Sequence, residues 1–101
     1  MSVLVTTKFS GDTATFLKAV AERGDEFAKI ADDAKAQGGI HHRFGVGDGF
    51  VLVVDEWESA AHFEKFFSSP ELRAFIGSTG GDPNTAPEIT VTEAIESADQ
   101  F

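Results

Sequence analysis

Residues 40–57 read IHHRFGVGDGFVLVVDEW and carry the strongest structural signal in the chain. Two runs rich in β-branched and aromatic residues, Ile40–Val46 and Phe50–Trp57, flank the segment GDG at 47–49. Because Asp-Gly tolerates the positive φ that a tight two-residue turn requires, this stretch predicts a β-hairpin. The five apolar residues at 50–54 indicate that its second strand is covered on both faces, as at the centre of a sheet.

The sequence on either side of the hairpin supplies two more strands and two helical regions. Ser10 or Asp12 is placed to cap the first helix, since either side chain can accept a hydrogen bond from a free backbone N–H. Apolar residues then recur at three- and four-residue steps, the pattern of a helix with one buried stripe. Gly24 interrupts that stripe, so it either leaves room for a ligand, allows close packing against the sheet or marks a slight kink. The predicted elements are a strand Ser2–Phe9, a helix Thr13–Gln37, the hairpin, a helix capped by Ser59 and running through Phe67, a short helix after Ser69-Pro70, and a strand Glu88–Ile95.

The order β-α-β-β-α-β predicts an α+β, ferredoxin-like fold with a four-stranded antiparallel sheet. In that topology the first and third strands are central, the strand order is 4-1-3-2, and the helices cover one face. Apolar side chains of the third strand point to both faces, so the second face needs a cover, and another copy of the chain is the simplest one. We therefore expect a homodimer of a single domain, residues 1–96, followed by a C-terminal tail, residues 97–101.

The composition excludes several classes of protein. The 101 residues carry a net charge of −9 and no basic stripe, so an acidic surface would repel nucleic acid and anionic membranes. The absence of cysteine excludes disulfides, thiolate catalysis and cysteine metal sites. No apolar run approaches the roughly 20 residues that span a bilayer, and the first residues lack the pattern of a signal peptide. We expect a soluble, cytoplasmic protein whose partners include neither nucleic acid nor a membrane.

One stretch after the hairpin has the quality of a family motif. It comprises the run VDEWES at 54–59 and then Ala60, Ala61, Phe63, Phe66, Ser69, Pro70 and Leu72. In this run and in its element order the chain resembles the antibiotic biosynthesis monooxygenase-like proteins of the dimeric α+β barrel superfamily. The resemblance implies a dimer with a hydrophobic pocket between sheet and helices. It also implies one of several activities, since the family includes oxygenases that convert phenols or hydroquinones into quinones without a cofactor, haem-degrading enzymes, isomerases, and members with no known reaction.

The haem-degrading branch of that family differs from this chain at two places. It usually carries a histidine on the helix that follows the tryptophan, at the position of Phe66, and the nearest histidine here is His62. It also uses an asparagine in the first strand, where this chain has Thr6 and Thr7. We therefore expect no tight haem binding and no cofactor.

The hairpin brings a histidine opposite Asp55. A two-residue Asp-Gly turn pairs His42 with Asp55, whereas a three-residue loop pairs His41 with it. A carboxylate beside an imidazole fixes its tautomer and stabilises its charged form, which is how general bases are often tuned. His42 and Asp55 are therefore the candidate catalytic residues. The alternative is an ordinary cross-strand ion pair that only clasps the hairpin.

The candidate substrate-binding residues are His41, Trp57, His62 and Phe66. Trp57 shares a sheet face with the candidate carboxylate, so it either walls a pocket or serves as a core aromatic. Phe66 is expected to supply apolar wall, and His62 either lines the pocket or is a solvated residue of the helix surface. The two adjacent histidines point to opposite faces of a strand and no HxxxH or HExxH spacing is present, so no metal site is expected.

These observations predict a dimeric protein that binds a small apolar or aromatic molecule. The first interpretation is a cofactor-independent monooxygenase or isomerase acting on an aromatic or polyketide-like compound. The alternative is a non-catalytic ligand-binding or stress-related dimeric protein, and a third is a dimerisation module with a filled core. An open pocket that contains a polar pair would favour catalysis, whereas a sealed apolar pocket would favour binding alone.

Overall fold

The structure, a computed structural model, describes residues 1–101 and has the predicted element order, with each helical region divided in two. The elements are β1 Val3–Ser10, α1 Thr13–Glu22, α2 Gly24–Ala36, β2 Gly39–Gly47, β3 Phe50–Trp57, α3 Ala60–Phe67, α4 Pro70–Ser78 and β4 Glu88–Glu93. The strands form one antiparallel sheet in the order β2-β3-β1-β4. The predicted α+β, ferredoxin-like fold is therefore confirmed. None of the helices combines the length and apolar character needed to cross a membrane.

The hairpin between β2 and β3 has the register that its Asp-Gly turn predicts. The paired residues include His42 with Asp55, Phe44 with Val53, and Val46 with Val51. Gly49 has a φ of 77°, a left-handed conformation that a residue with a side chain rarely adopts. The turn chemistry thus determines which side chains of β2 and β3 share a face.

The helix predicted from Thr13 to Gln37 is wrong as a single helix, because the chain leaves helical geometry at Arg23. This residue has φ −118° and ψ 32°, and a new helix begins at Gly24. A Cβ built on Gly24 would meet nothing within 4 Å, so the glycine does not serve close packing. The Arg23 guanidinium donates to Ser78 Oγ at 3.0 Å and lies 4.8 Å from the centre of the Phe75 ring. Contacts with α4 therefore hold the break in place.

Polar side chains begin three of the four helices. Of the two candidates before α1, Asp12 is the cap, since its carboxylate accepts from two backbone N–H groups of the first turn at 3.0 and 3.2 Å. Ser59 caps α3 as predicted, and Ser69 caps α4, each by accepting from one backbone N–H group of the first turn. These caps fix where each helix starts above the sheet.

The two faces of the sheet differ in their cover. The buried residues of β1 and β3 are Val5, Thr7, Val51, Val53, Asp55 and Trp57, and they share the face under the helices. On that face Val5, Trp57 and Phe63 of α3 form a cluster of buried hydrophobic residues. On the opposite face Leu4 and Val54 remain 44% and 47% exposed. The helices therefore cover one face, and the other presents apolar side chains to solvent.

Candidate functional site

A cavity of about 180 Å³ lies between the covered face of the sheet and the helices. Its lining from the strands includes Thr7, Phe9, His42, Phe44, Val51, Val53, Asp55 and Trp57. Its lining from the helices includes Phe16, Phe27, Ile30, Ala31, Ala34, Phe63, Phe66, Phe67, Leu72 and Phe75. A mostly apolar concavity with a few polar groups is the usual character of a small-molecule site.

Phenylalanine rings from four different elements form one wall of the cavity. Phe44 of β2 meets Phe16 of α1 edge-on with ring centres 5.0 Å apart, and it meets Phe27 of α2 at 5.9 Å. Phe27 in turn meets Phe75 of α4 at 5.0 Å. Edge-to-face contacts of this kind are favourable beyond the area they bury. The wall presents ring surface to a ligand and offers it no hydrogen-bonding group.

Asp55 is the buried polar centre of the site. Only 8% of its surface is exposed, and one carboxylate oxygen, Oδ1, lies 2.6 Å from Nδ1 of His42. The other oxygen, Oδ2, accepts a hydrogen bond from Nε1 of Trp57 at 3.2 Å. An ionised carboxylate can only accept, so this contact requires a proton on Nδ1 of His42, and in the neutral ring Nε2 is then the unprotonated nitrogen. The arrangement gives the cavity an oriented imidazole that can take up a proton.

Strand geometry explains why these three residues meet. Asp55 and Trp57 are two positions apart on β3 and therefore point to the same face. His42 lies directly opposite Asp55 in the register set by the turn. Its ring is 46% exposed and lies edge-on to Phe44 at 4.6 Å, so it is a partly exposed member of the cavity lining on the edge strand β2. The geometry predicted for the pair is present, and its catalytic role stays a prediction.

The structure places the other three candidates differently. Phe66 lines the cavity with its ring centre 5.1 Å from that of Trp57. His41 borders the cavity, but its ring is 78% exposed and approaches Glu56 at 4.0 Å. His62 is not part of the lining, and its Nδ1 lies 2.6 Å from the hydroxyl of Ser59. The structure therefore brings Phe66 and Trp57 together with the His42–Asp55 pair, and it leaves His62 outside.

Sequence reasoning missed Thr7 as a residue of the site. Thr7 is 2% exposed and belongs to the cavity lining. The signal was available, because Thr7 follows Val5 at the strand period of two and β1 is a central strand. The first strand shows no clear alternation of apolar and polar residues, however, so its sequence does not indicate which of its two faces is buried.

Charged groups at the starts of the first two helices have structural partners. The hydroxyl of Thr15, followed by backbone N–H groups of the first turn, holds the pKa of Asp12 below its ordinary value at the cavity rim. A hydrogen bond to Glu26 raises the pKa of Arg23 and lowers that of Glu26 at the helix break. No group of three or more His, Cys, Asp or Glu side chains is arranged to hold a metal ion.

The chain matches no protein-family model and no curated protein by sequence. Among solved structures it is similar to SnoaB, a cofactor-independent oxygenase from Streptomyces nogalater, with 15% identity, 98% of each chain covered and a TM-score of 0.65. It is also similar to the monooxygenase ActVA-Orf6 of Streptomyces coelicolor, solved with nanaomycin D, with 18% identity over 99% of this chain and 93% of that chain and a TM-score of 0.69. A third similar structure, from Caulobacter crescentus CB15, has the provisional name antibiotic biosynthesis monooxygenase, with 18% identity over 94% of this chain and 91% of that chain and a TM-score of 0.63. The predicted resemblance is thereby confirmed at the level of the fold.

Proposed function

We propose that this chain binds a small phenolic compound in its cavity and acts on it as a cofactor-independent monooxygenase. The observation that carries the proposal is the oriented pair of His42 and Asp55 in the lining of a mostly apolar cavity. A base in this position can take the proton of a phenol whose ring lies against the phenylalanine wall. The shared fold supports the proposal, since SnoaB is described as a cofactor-independent oxygenase.

The proposed reaction uses molecular oxygen as the oxidant and the ring of the substrate as the reductant. His42 takes the phenol proton on Nε2, and the resulting phenolate is electron-rich enough to form a carbon–oxygen bond with O₂ at a ring carbon that carries hydrogen. The proton returns from His42 to the distal oxygen, which gives a hydroperoxide. Loss of the ring hydrogen as a proton then breaks the O–O bond and releases water. One oxygen atom remains in the quinone, the other leaves as water, and the ring has lost two hydrogens.

Each residue of the pair has a distinct role in this scheme. Asp55 accepts from Nδ1 of His42, which makes Nε2 the basic nitrogen of the neutral ring and stabilises the imidazolium that forms. Trp57 donates to the second oxygen of Asp55, so the carboxylate is held from both sides. Trp57 and Phe66 also supply ring surface to the cavity. Neither His62 nor a metal ion enters the scheme.

Two alternative functions would use the same cavity. Proton transfer to and from an enol, without oxygen, would make the protein an isomerase. Binding without turnover would make it a ligand-binding or stress-related protein. The polar pair in the lining of the cavity favours catalysis over binding alone, because a site that only binds an apolar molecule has no need of an oriented base.

We further propose that the protein is a cytoplasmic homodimer that packs through the open face of its sheet. Support comes from Leu4 and Val54, which lie exposed on that face while the opposite face carries the cavity. Burial of apolar surface against a second copy would be favourable, since a domain of this size leaves much of its surface wet. The two functions of the sheet, binding a ligand and binding a partner, would then use opposite faces.

The test is oxygen consumption, measured with an oxygen electrode on a panel of phenols and hydroquinones, together with mass analysis of products formed under isotopically labelled O₂. We expect label to enter the product, and His42→Ala to lower kcat/KM by about 10²–10⁴-fold, the usual contribution of a general base. His62→Ala is the matched control, because this histidine lies outside the cavity. Unlabelled product formed by double-bond migration would point to an isomerase, and binding without any product would point to the non-catalytic alternative.

A further inference from the structure

Thr7 is a buried hydroxyl without a partner. It is 2% exposed, and its side chain takes part in none of the hydrogen bonds that involve side chains of this protein. No completely enclosed side-chain polar atom in the chain lacks a partner, so the free hydroxyl must be reached from the cavity that Thr7 lines. A hydroxyl that has no partner within the protein and faces a mostly apolar cavity is a natural contact for a polar ligand atom.

The position of Thr7 relative to Asp55 is set by the sheet. Asp55 pairs directly with Val5 across β1 and β3, and Thr7 lies two residues further along β1 on the same face. Diagonal neighbours of this kind in an antiparallel sheet lie about 7–8 Å apart. The floor of the cavity therefore presents two polar points, one at Thr7 and one at the His42–Asp55 pair, with apolar residues such as Val53 beside them.

The size of the cavity limits what can lie between these two points. An apolar cavity of about 150 Å³ in a protein interior accommodates benzene. The cavity here is slightly larger, at about 180 Å³. Its volume matches one aromatic ring with small substituents.

From these observations we propose that Thr7 is a specificity-determining residue and that the ligand is a single aromatic ring with oxygen functions at opposite positions, as in a hydroquinone. One oxygen meets His42, and the other accepts from or donates to the Thr7 hydroxyl. The inference rests on the proposed function, because it takes the same cavity as the substrate site and His42 as the group that meets the reacting hydroxyl. It goes further in naming the second anchor and the number of rings.

The test is calorimetric binding in the absence of oxygen, so that no turnover occurs, with hydroquinone and phenol as the two probes. They differ by one hydroxyl group. We expect the wild type to bind hydroquinone about 3- to 10-fold more tightly than phenol, the range expected for one net hydrogen bond. Thr7→Val removes the hydroxyl and keeps the branched shape, and it should abolish this preference without changing the affinity for phenol. Thr7→Ser should retain the preference.

The matched control is Thr6→Val, because Thr6 is paired with Val54 and belongs to the opposite face of the sheet. It should leave both affinities unchanged. Hydroquinone binding that is equal in the wild type and Thr7→Val, or an equal loss for both probes, would overturn the role of Thr7. Tighter binding of a three-ring hydroxyanthraquinone than of hydroquinone would overturn the single-ring assignment. The calorimetric assay contains no oxygen and does not depend on turnover. A protein that shows the Thr7 effect in this assay but consumes no oxygen in the electrode assay therefore refutes the monooxygenase proposal and leaves the role of Thr7 intact.

Discussion

Replacing Asp55 by asparagine should reverse the tautomer of His42. In the wild type the carboxylate lies 2.6 Å from Nδ1 of His42 and can only accept, so the ring proton is on Nδ1. An asparagine has one accepting oxygen and one donating amide. The Trp57 N–H can only donate and already contacts one side of this residue, so it should keep the oxygen. The amide then donates to Nδ1 of His42, and the proton moves to Nε2.

The cost in stability should be small, because the change preserves volume and the number of hydrogen bonds. Hydrogen bonds to a charged group contribute about 1.5–3 kcal/mol and neutral ones about 0.5–1.5 kcal/mol, so two weakened bonds lose about 2 kcal/mol. Relief from burying a charge that is only 8% exposed offsets part of this loss. We expect a net loss of about 1 kcal/mol, which corresponds to a fall in Tm of about 4–8 °C for a domain near 100 residues.

Asp55→Ala provides the comparison that isolates the Trp57 hydrogen bond. It leaves the indole N–H of Trp57, a residue only 2% exposed, without a partner, which costs about 1–3 kcal/mol. In a Trp57→Phe background the same Asp55→Ala change should cost less, since no donor is then stranded. The difference between the two costs is the coupling energy of the pair.

The tautomer can be read directly by long-range proton–nitrogen NMR of the imidazole of His42. The expected result is a proton on Nδ1 in the wild type and on Nε2 in Asp55→Asn, with a modest fall in Tm and a large loss of any base-catalysed activity. The same tautomer in both proteins would mean that Asp55 does not orient His42. In that case the contact is only a clasp for the hairpin, and the proposed catalytic pair is refuted.

Three further predictions concern the core, a helix cap and the open face. Phe63→Ala removes a ring that is 4% exposed and should lower the free energy of unfolding, measured in urea, by about 3–5 kcal/mol. Phe101→Ala, at a fully exposed ring, should not change it. Similar losses in the two variants would contradict the assignment of Phe63 to the core. The pKa of Asp12 is lowered chiefly by the Thr15 hydroxyl, so its contribution to stability is present above the unfolded pKa of about 4 and is lost as the pH falls through the lower folded pKa. The Tm advantage of the wild type over Asp12→Asn should therefore shrink as the pH falls below about 4, and a constant difference would show that the charge is not involved. Val54→Lys introduces a charge on the open face, so light scattering should show a monomer for this variant and a dimer for the wild type. A wild type that is monomeric at micromolar concentration would refute the proposed dimer.

The hairpin and its polar pair could be predicted because local chemistry determines both. The Asp48-Gly49 turn selects a two-residue loop, the loop sets the register, and the register places His42 opposite Asp55. The period of two along β3 then puts Trp57 on the same face. None of these steps depends on a contact with a distant part of the chain. The sequence still leaves a three-residue loop, with His41 opposite Asp55, as the alternative, and the register in the structure selects His42.

The orientation of the helices was harder to predict, because it depends on contacts between elements far apart in sequence. Nothing in the sequence around Arg23 indicates that its guanidinium meets Ser78, so the break appeared only as a glycine in a helical stripe. His62 shows the same limit. The sequence places it in the first turn of α3, but the burial of Phe63 on the sheet side of that helix leaves the His62 ring half-exposed beside Ser59.

The break at Arg23 also explains how the aromatic wall can exist. Phe16 and Phe27 are eleven residues apart, and in one straight α-helix that separation corresponds to about 16 Å along the axis. Their ring centres are in fact 6.1 Å apart, and both rings contact Phe44 of the edge strand. Only a chain that turns back between the two residues can bring them to the same ring. The interruption of the helix therefore forms the side of the cavity that faces His42, and the cavity would lose this wall if α1 and α2 were continuous.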